Sequence, residues 1–230
     1  MHYASRTIAF LCELLHPPQV PAAGPIQRVH NRLFGVGGTP VYGSFNVSTD
    51  GAVLSNPLPQ PGAVSSAAFL TDRFQFREEL TGITLDDFVQ RLEQVTRMVL
   101  DEVPVPMFTA QAITVRTLVN PRAYRDSRLF LKDGMFHMHT ELASFGREPQ
   151  LLGVRLVFPP TQEEPFAFTL RVESFASDPR SLFLENTGSF GPVVPTHGLA
   201  PIGTNVRRTY DFLVERALPF LAQFDQRTEA

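Results

Sequence analysis

Tryptophan is absent from this chain, and cysteine and lysine each occur once, as Cys12 and Lys132. A lone thiol excludes an intramolecular disulfide framework, so secretion gains no support and a reducing, cytoplasmic setting is the expectation. Long apolar runs are missing as well: nothing approaches the roughly 20 residues that a membrane helix requires. The apolar stretch near the N-terminus is broken by Glu13 and followed by Pro17-Pro18, with no small-residue cleavage site, which argues against a signal peptide. Charge of one sign is lacking too. The net charge is −3 and the isoelectric point about 6.1. Arg207-Arg208 and the Arg122, Arg125, Arg128 series are short. Without a concentrated positive surface there is little counterion release to gain, and nucleic-acid binding is not favoured.

What is present is bulk and patterning. The chain has 230 residues, of which 43% are hydrophobic and 20 are phenylalanine. That is enough to bury a core without disulfides or metals, and a single domain over residues 1–230 is expected. The clearest element is an amphipathic helix over residues 84–102. Thr84 is a good N-cap and Asp87 stands where a carboxylate meets free amides. Leu85, Phe88, Val89, Leu92, Val95, Met98 and Val99 form its apolar stripe. A second helix is expected over 205–224, bent or ended early by Pro219. Shorter helices are expected at 25–34 and 124–131.

The rest alternates with period two. Residues 5–15 are apolar on both faces, as in a central strand. Strands are also expected at 41–47, at 67–78 with a bulge near Asp72-Arg73, and at 109–119. Four more are expected at 135–142, 151–158, 166–175 and 181–184, and 188–203 reads as a Gly/Pro-rich loop. No internal repeat is visible. Strands gather in a block instead of alternating with helices, so the class is α+β. The natural solution is a curved antiparallel sheet with one long helix packed in its concavity and a C-terminal helix.

Three constellations suggest chemistry or contact. His137, His139 and Glu141 would share one face of a strand, and two imidazoles with a carboxylate make a possible zinc or iron site. The plainer reading is a polar strand face with Phe136 and Met138 packed inward. Phe190, Val193, Val194, His197, Leu199 and Ile202 lie in the long loop and form the candidate ligand or partner surface. Gly35-Val36-Gly37-Gly38-Thr39 resembles a phosphate-binding loop, but Pro40 and a strand pattern follow it, whereas such a loop opens a helix. No serine sits in a nucleophile elbow, and Cys12 lies among apolar neighbours where thiols are inert.

The strand ending Asp72-Arg73-Phe74-Gln75-Phe76, the helix at 85–100, the strand closing on Asn120-Pro121 and the late strand Ser181-Leu182-Phe183-Leu184-Glu185-Asn186 recur in a familiar order. With the apolar first strand and a final helix ending at 220–224, this order resembles a sporadically distributed family of uncharacterised bacterial proteins of similar length. That family's late strand tends to end in acidic residues, where this one ends in Glu185-Asn186. The strand, helix, four strands, helix order is also similar to TATA-binding-protein-like and helix-grip sheets. The resemblance implies an architecture and supplies no catalytic residues.

The expected function is therefore a non-catalytic binding or assembly protein, oligomeric or a subunit of a bacterial complex, with no cofactor. Its partner would be another protein or a second copy, meeting a sheet edge or the 190–202 loop. One alternative is a helix-grip carrier with a cavity lined by Val95, Met98, Val99, Phe166 and Phe168. The other is a metal-dependent enzyme using His137, His139 and Glu141.

Overall fold

In strand after strand, one set of alternate residues is apolar and the other polar, and that division decides which face of the sheet is covered. The computed structural model describes residues 3–20, 23–35, 41–138 and 140–226. Nine strands form one antiparallel sheet: β1 (Arg6–Leu15), β2 (Ser44–Ser48), β3 (Gly51–Asn56), β4 (Val64–Leu70), β5 (Arg73–Glu79), β6 (Ala110–Val119), β7 (Gly153–Phe158), β8 (Ala167–Ser174) and β9 (Leu182–Phe190). Their spatial order is β2-β3-β4-β5-β1-β6-β9-β8-β7, so the sheet is open, with β2 and β7 as its edges. The fold is α+β. The doubly apolar first strand is central, between β5 and β6.

The helices lie on one face. They are α1 (Ala23–Gly35), α2 (Leu85–Glu102), the short α3 (Ser127–Leu129), α4 (Ala200–Asp211) and α5 (Leu218–Ala222). α2 packs between α1 and α4, and α4 rests on β6 and β9. Phe10, Cys12 and Leu14 of β1, Phe74 and Phe76 of β5, and Ile113 and Val115 of β6 join Phe88, Leu92, Val95 and Val99 of α2 in one apolar cluster. Phe10 and Phe88 stack with ring centroids 5.2 Å apart. No helix among the described residues is long and apolar enough to cross a membrane.

The element order repeats. β1, α1, the β2–β5 meander and α2 are followed by β6, α3, the β7–β9 meander and α4. β1 and β6 lie side by side at the centre, and each meander returns to pair its own first strand, β5 with β1 and β9 with β6. The sheet therefore reads as two related halves about a central seam, a repeat of connections with no visible repeat of side chains.

Several sequence expectations are corrected. Residues 67–78 form a hairpin, not one bulged strand, with Phe69 opposite Phe74 across a turn at 71–72. The described residues of 135–142 form no strand: a π-turn over Phe130–Met135 and a 3-10 turn over Glu141–Phe145 flank the region. The Asp133-Gly134 pair lies inside that π-turn, and Gly134 sits where a side chain would collide with the Tyr124 hydroxyl at 2.9 Å. β9 runs on to Phe190 instead of ending near 184. Its Gly188 breaks no strand: a side chain there would meet the Phe190 ring and Thr209 Oγ1, each at 2.6 Å. The last helix begins at Ala200, and it passes Pro219 by widening into a π-turn over Phe212–Ala217.

Candidate functional site: the uncovered face of the sheet

The residues alternating with the core set point away from every helix. They are Leu11 and Glu13 on β1, Arg73, Gln75, Arg77 and Glu79 on β5, and Ala112, Thr114 and Arg116 on β6. Phe183, Glu185, Thr187 and Ser189 on β9, Ala167, Thr169, Arg171 and Glu173 on β8, and Arg155 and Val157 on β7 continue the face. Nearly all are partly or fully exposed. Two registers organise the face. One row crosses the sheet as Arg77, Leu11, Thr114, Thr187, Thr169, Val157. Its centre is built from three threonines, and the hydroxyls of Thr114 and Thr187 bond each other at 2.9 Å. The next row is charged: Glu79, Ala9, Arg116, Glu185, Arg171, Arg155.

That charged row is a chain of ion pairs. Arg116 Nε donates to Glu185 Oε2 at 2.6 Å, and its Nη1 donates to Glu79 Oε1 at 3.3 Å. Arg171 lies 3.5 Å from Glu185 and 5.2 Å from the centre of the Phe183 ring. Arg77 bonds Glu79 from the same strand. Cross-strand pairs of opposite sign each stabilise a sheet by a few tenths of a kcal/mol up to about 1. The sign alternates as far as Arg171, where Arg155 faces it as a like charge, and the glutamates leave the face without a concentrated positive field, which disfavours polyanions. Arg155 ends the row on the edge strand and, among the described residues, makes no ion pair. Sequence reasoning missed this face because Arg116 and Glu185 meet only once β6 is known to pair with β9.

The structure disperses most of the residues singled out from sequence. Phe190, Val193, Leu199 and Ile202 are buried, and only Val194 and His197 are exposed. Val193 is fixed by a two-way backbone bridge to Phe108, each bond 2.9 Å. Leu199 reaches a depression of about 250 Å³ with Arg97, Leu100, Asp101 and Val105 of the α2 exit. His137 has a left-handed backbone (φ 52°), and Glu141 accepts the Thr140 N–H at 2.9 Å to cap its own turn. The strand row that would have aligned them is absent, and His139 lies outside the described residues. Among those described, no three His, Cys, Asp or Glu side chains are grouped to hold a metal ion. Residues 36–40 of the glycine loop are likewise outside the described set.

The proposed carrier lining does not converge either. Val95 and Val99 are core residues of α2. Phe166 and Phe168 instead line a cleft of about 150 Å³ with Arg208, Asp211, Phe212 and Arg216. Cys12 is buried, and burial, followed by the neighbouring Glu13 charge, pushes its thiol well up.

One buried polar cluster sits under α2. Glu78 is 2% exposed, and its Oε1 accepts Ser65 Oγ at 2.8 Å and the Arg91 guanidinium. Burial, then the Glu78 charge, drives the Tyr42 hydroxyl well above its ordinary value. A buried carboxylate is tolerated only with such partners, and here they tie α2 to β4 and β5.

Neither a scan against protein-family models nor a search of curated proteins finds a match to this chain.

Proposed function

We propose that this is a non-catalytic binding or assembly protein that works by contact through the helix-free face of its sheet. The observation that carries the reading is the uncovered face itself: six adjacent strands, from β5 to β7, present a row of Leu11, Thr114, Thr187 and Thr169 beside a neutralised ion-pair row. A broad surface of small and partly exposed residues spread over six strands suits an extended partner surface better than a small molecule, which favours enclosed sites. Its balanced charge suits protein over nucleic acid. The buried, free Cys12 is compatible with a reducing, cytoplasmic compartment.

The test is quantitative affinity capture from cells that make the protein, comparing wild type with a Thr114→Arg/Thr187→Arg variant. The reading expects a protein retained at fixed stoichiometry by wild type and lost by at least about tenfold in the variant, a difference of roughly 1.4 kcal/mol; the facing arginines lower the variant's stability by up to about 1 kcal/mol, so its fold is checked by circular dichroism at the capture temperature. Equal retention by both proteins would remove the face from the reading.

A further inference from the structure

We infer that β7 is a self-association seam, where a second copy of this chain pairs edge to edge and in antiparallel register. This rests on the contact reading above and names the partner at one edge of the same sheet. Ser174 N–H donates to Leu152 C=O at 2.9 Å. Antiparallel alternation therefore turns the main-chain groups of Val154, Leu156 and Phe158 toward β8, and those of Gly153, Arg155 and Val157 toward the free edge. An edge of unpaired N–H and C=O groups selects another strand as its occupant. β7 carries few of the usual guards against this: its sequence is Gly-Val-Arg-Leu-Val-Phe, with one charge and no proline. Apolar exposure gathers along it, with Leu151 48%, Val157 63% and Phe158 38% exposed.

Charge and symmetry choose the register. An isologous pair has a two-fold axis normal to the sheet, which makes the two strands antiparallel and keeps both helical layers on one side. An axis at Arg155 would set that arginine directly opposite its own copy, and like charges there are destabilising. An axis at Leu156 avoids this. Arg155 then exchanges both main-chain bonds with Val157 of the second copy, and the reverse pair repeats them. On the helical side, Leu156 meets Leu156 and Val154 meets Phe158. The half-exposed Phe158, edge-on to Phe212 at 5.1 Å, extends the core layer across the seam. The two uncovered faces become one continuous surface.

Sedimentation velocity on the full chain at micromolar concentrations tests this, with wild type, Val157→Lys and Arg155→Glu/Val157→Lys. The expected result is a wild-type dimer. Val157→Lys sets a like charge opposite Arg155 of the second copy and should weaken the dimer about tenfold or more. Adding Arg155→Glu makes that facing pair opposite in sign and should restore it. A circular dichroism spectrum and thermal midpoint matching wild type show separately that each variant has folded. A monomeric wild type, or a dimer indifferent to Val157→Lys, overturns the seam. Loss without restoration by the double variant overturns the register. In each of these cases the Thr114→Arg/Thr187→Arg comparison still judges the face independently.

Discussion

Asp178 shows how much local order one side chain can impose. Its carboxylate accepts the Ser181 hydroxyl at 2.6 Å and the Arg180 N–H at 3.1 Å, closing the turn that leads into β9. These bonds, the Ser181 hydroxyl first, hold the carboxyl below its ordinary value of 3.8. A carboxyl depressed in the folded state stabilises above its unfolded value, and that contribution disappears as pH falls through the lower folded value. Asp178→Asn is therefore expected to be less stable than wild type near neutrality, with the difference closing below pH 3.8. Urea midpoints measured from about pH 7 down to about pH 2.5 would read this loss; a gap independent of pH would refute the linkage. Asp225 acts in a similar way at the other end of the chain, where its two oxygens accept Arg122 N–H at 2.7 Å and Ala123 N–H at 2.9 Å. Asp178 closes its turn with residues two and three positions on, whereas Asp225 was not legible from spacing, because it finds its partners far away in the chain, near the end of β6.

At the scale of elements, α2 formed as its sequence expected because its signals are local. Thr84 Oγ1 accepts the Asp87 N–H at 3.2 Å, and the stripe of Phe88, Val89, Leu92, Val95 and Val99 is buried. Thr84→Ala should cost about 1 kcal/mol, the usual effect of losing such a cap. Thermal unfolding would show it as a lowered midpoint with α2 still formed, and an unchanged midpoint would count against the cap. The strand at 135–142 failed for the converse reason. Its alternation is satisfied as well by turns, and Phe130 and Leu131 enter the core from the helical segment before it. Gly188 misled in the other direction: read as the start of a Gly/Pro-rich loop, it is a strand residue whose missing side chain admits α4. Pro219 did not stop the last helix, since a π-turn places its absent N–H where the hydrogen-bond ladder is already widened.

For the whole molecule, the seam between the halves is closed twice, by β1 against β6 in the sheet and by α2 against α4 above it. Gly203 sits at the helical contact, where a Cβ would collide with Glu93 Oε1 and come within 2.9 Å of Val89 Cγ1. The Glu93 carboxylate can swing away, but Val89 belongs to the core. Gly203→Val is thus expected to destabilise by about 1–3 kcal/mol through overpacking. Urea denaturation followed by circular dichroism would measure it, and a neutral result would show that the helices separate freely.

Composition and short-range periodicity were enough for the class, the central position of β1 and the α2 helix with its cap. The order of the strands, the repeat of connections about the β1–β6 seam, and the burial of Phe190, Val193, Leu199 and Ile202 came from long-range packing. It also decided which arginines meet which glutamates on the uncovered face. Those properties depend on which distant strands become neighbours, and one strand's alternation states only that it has two faces, not what will lie beside it.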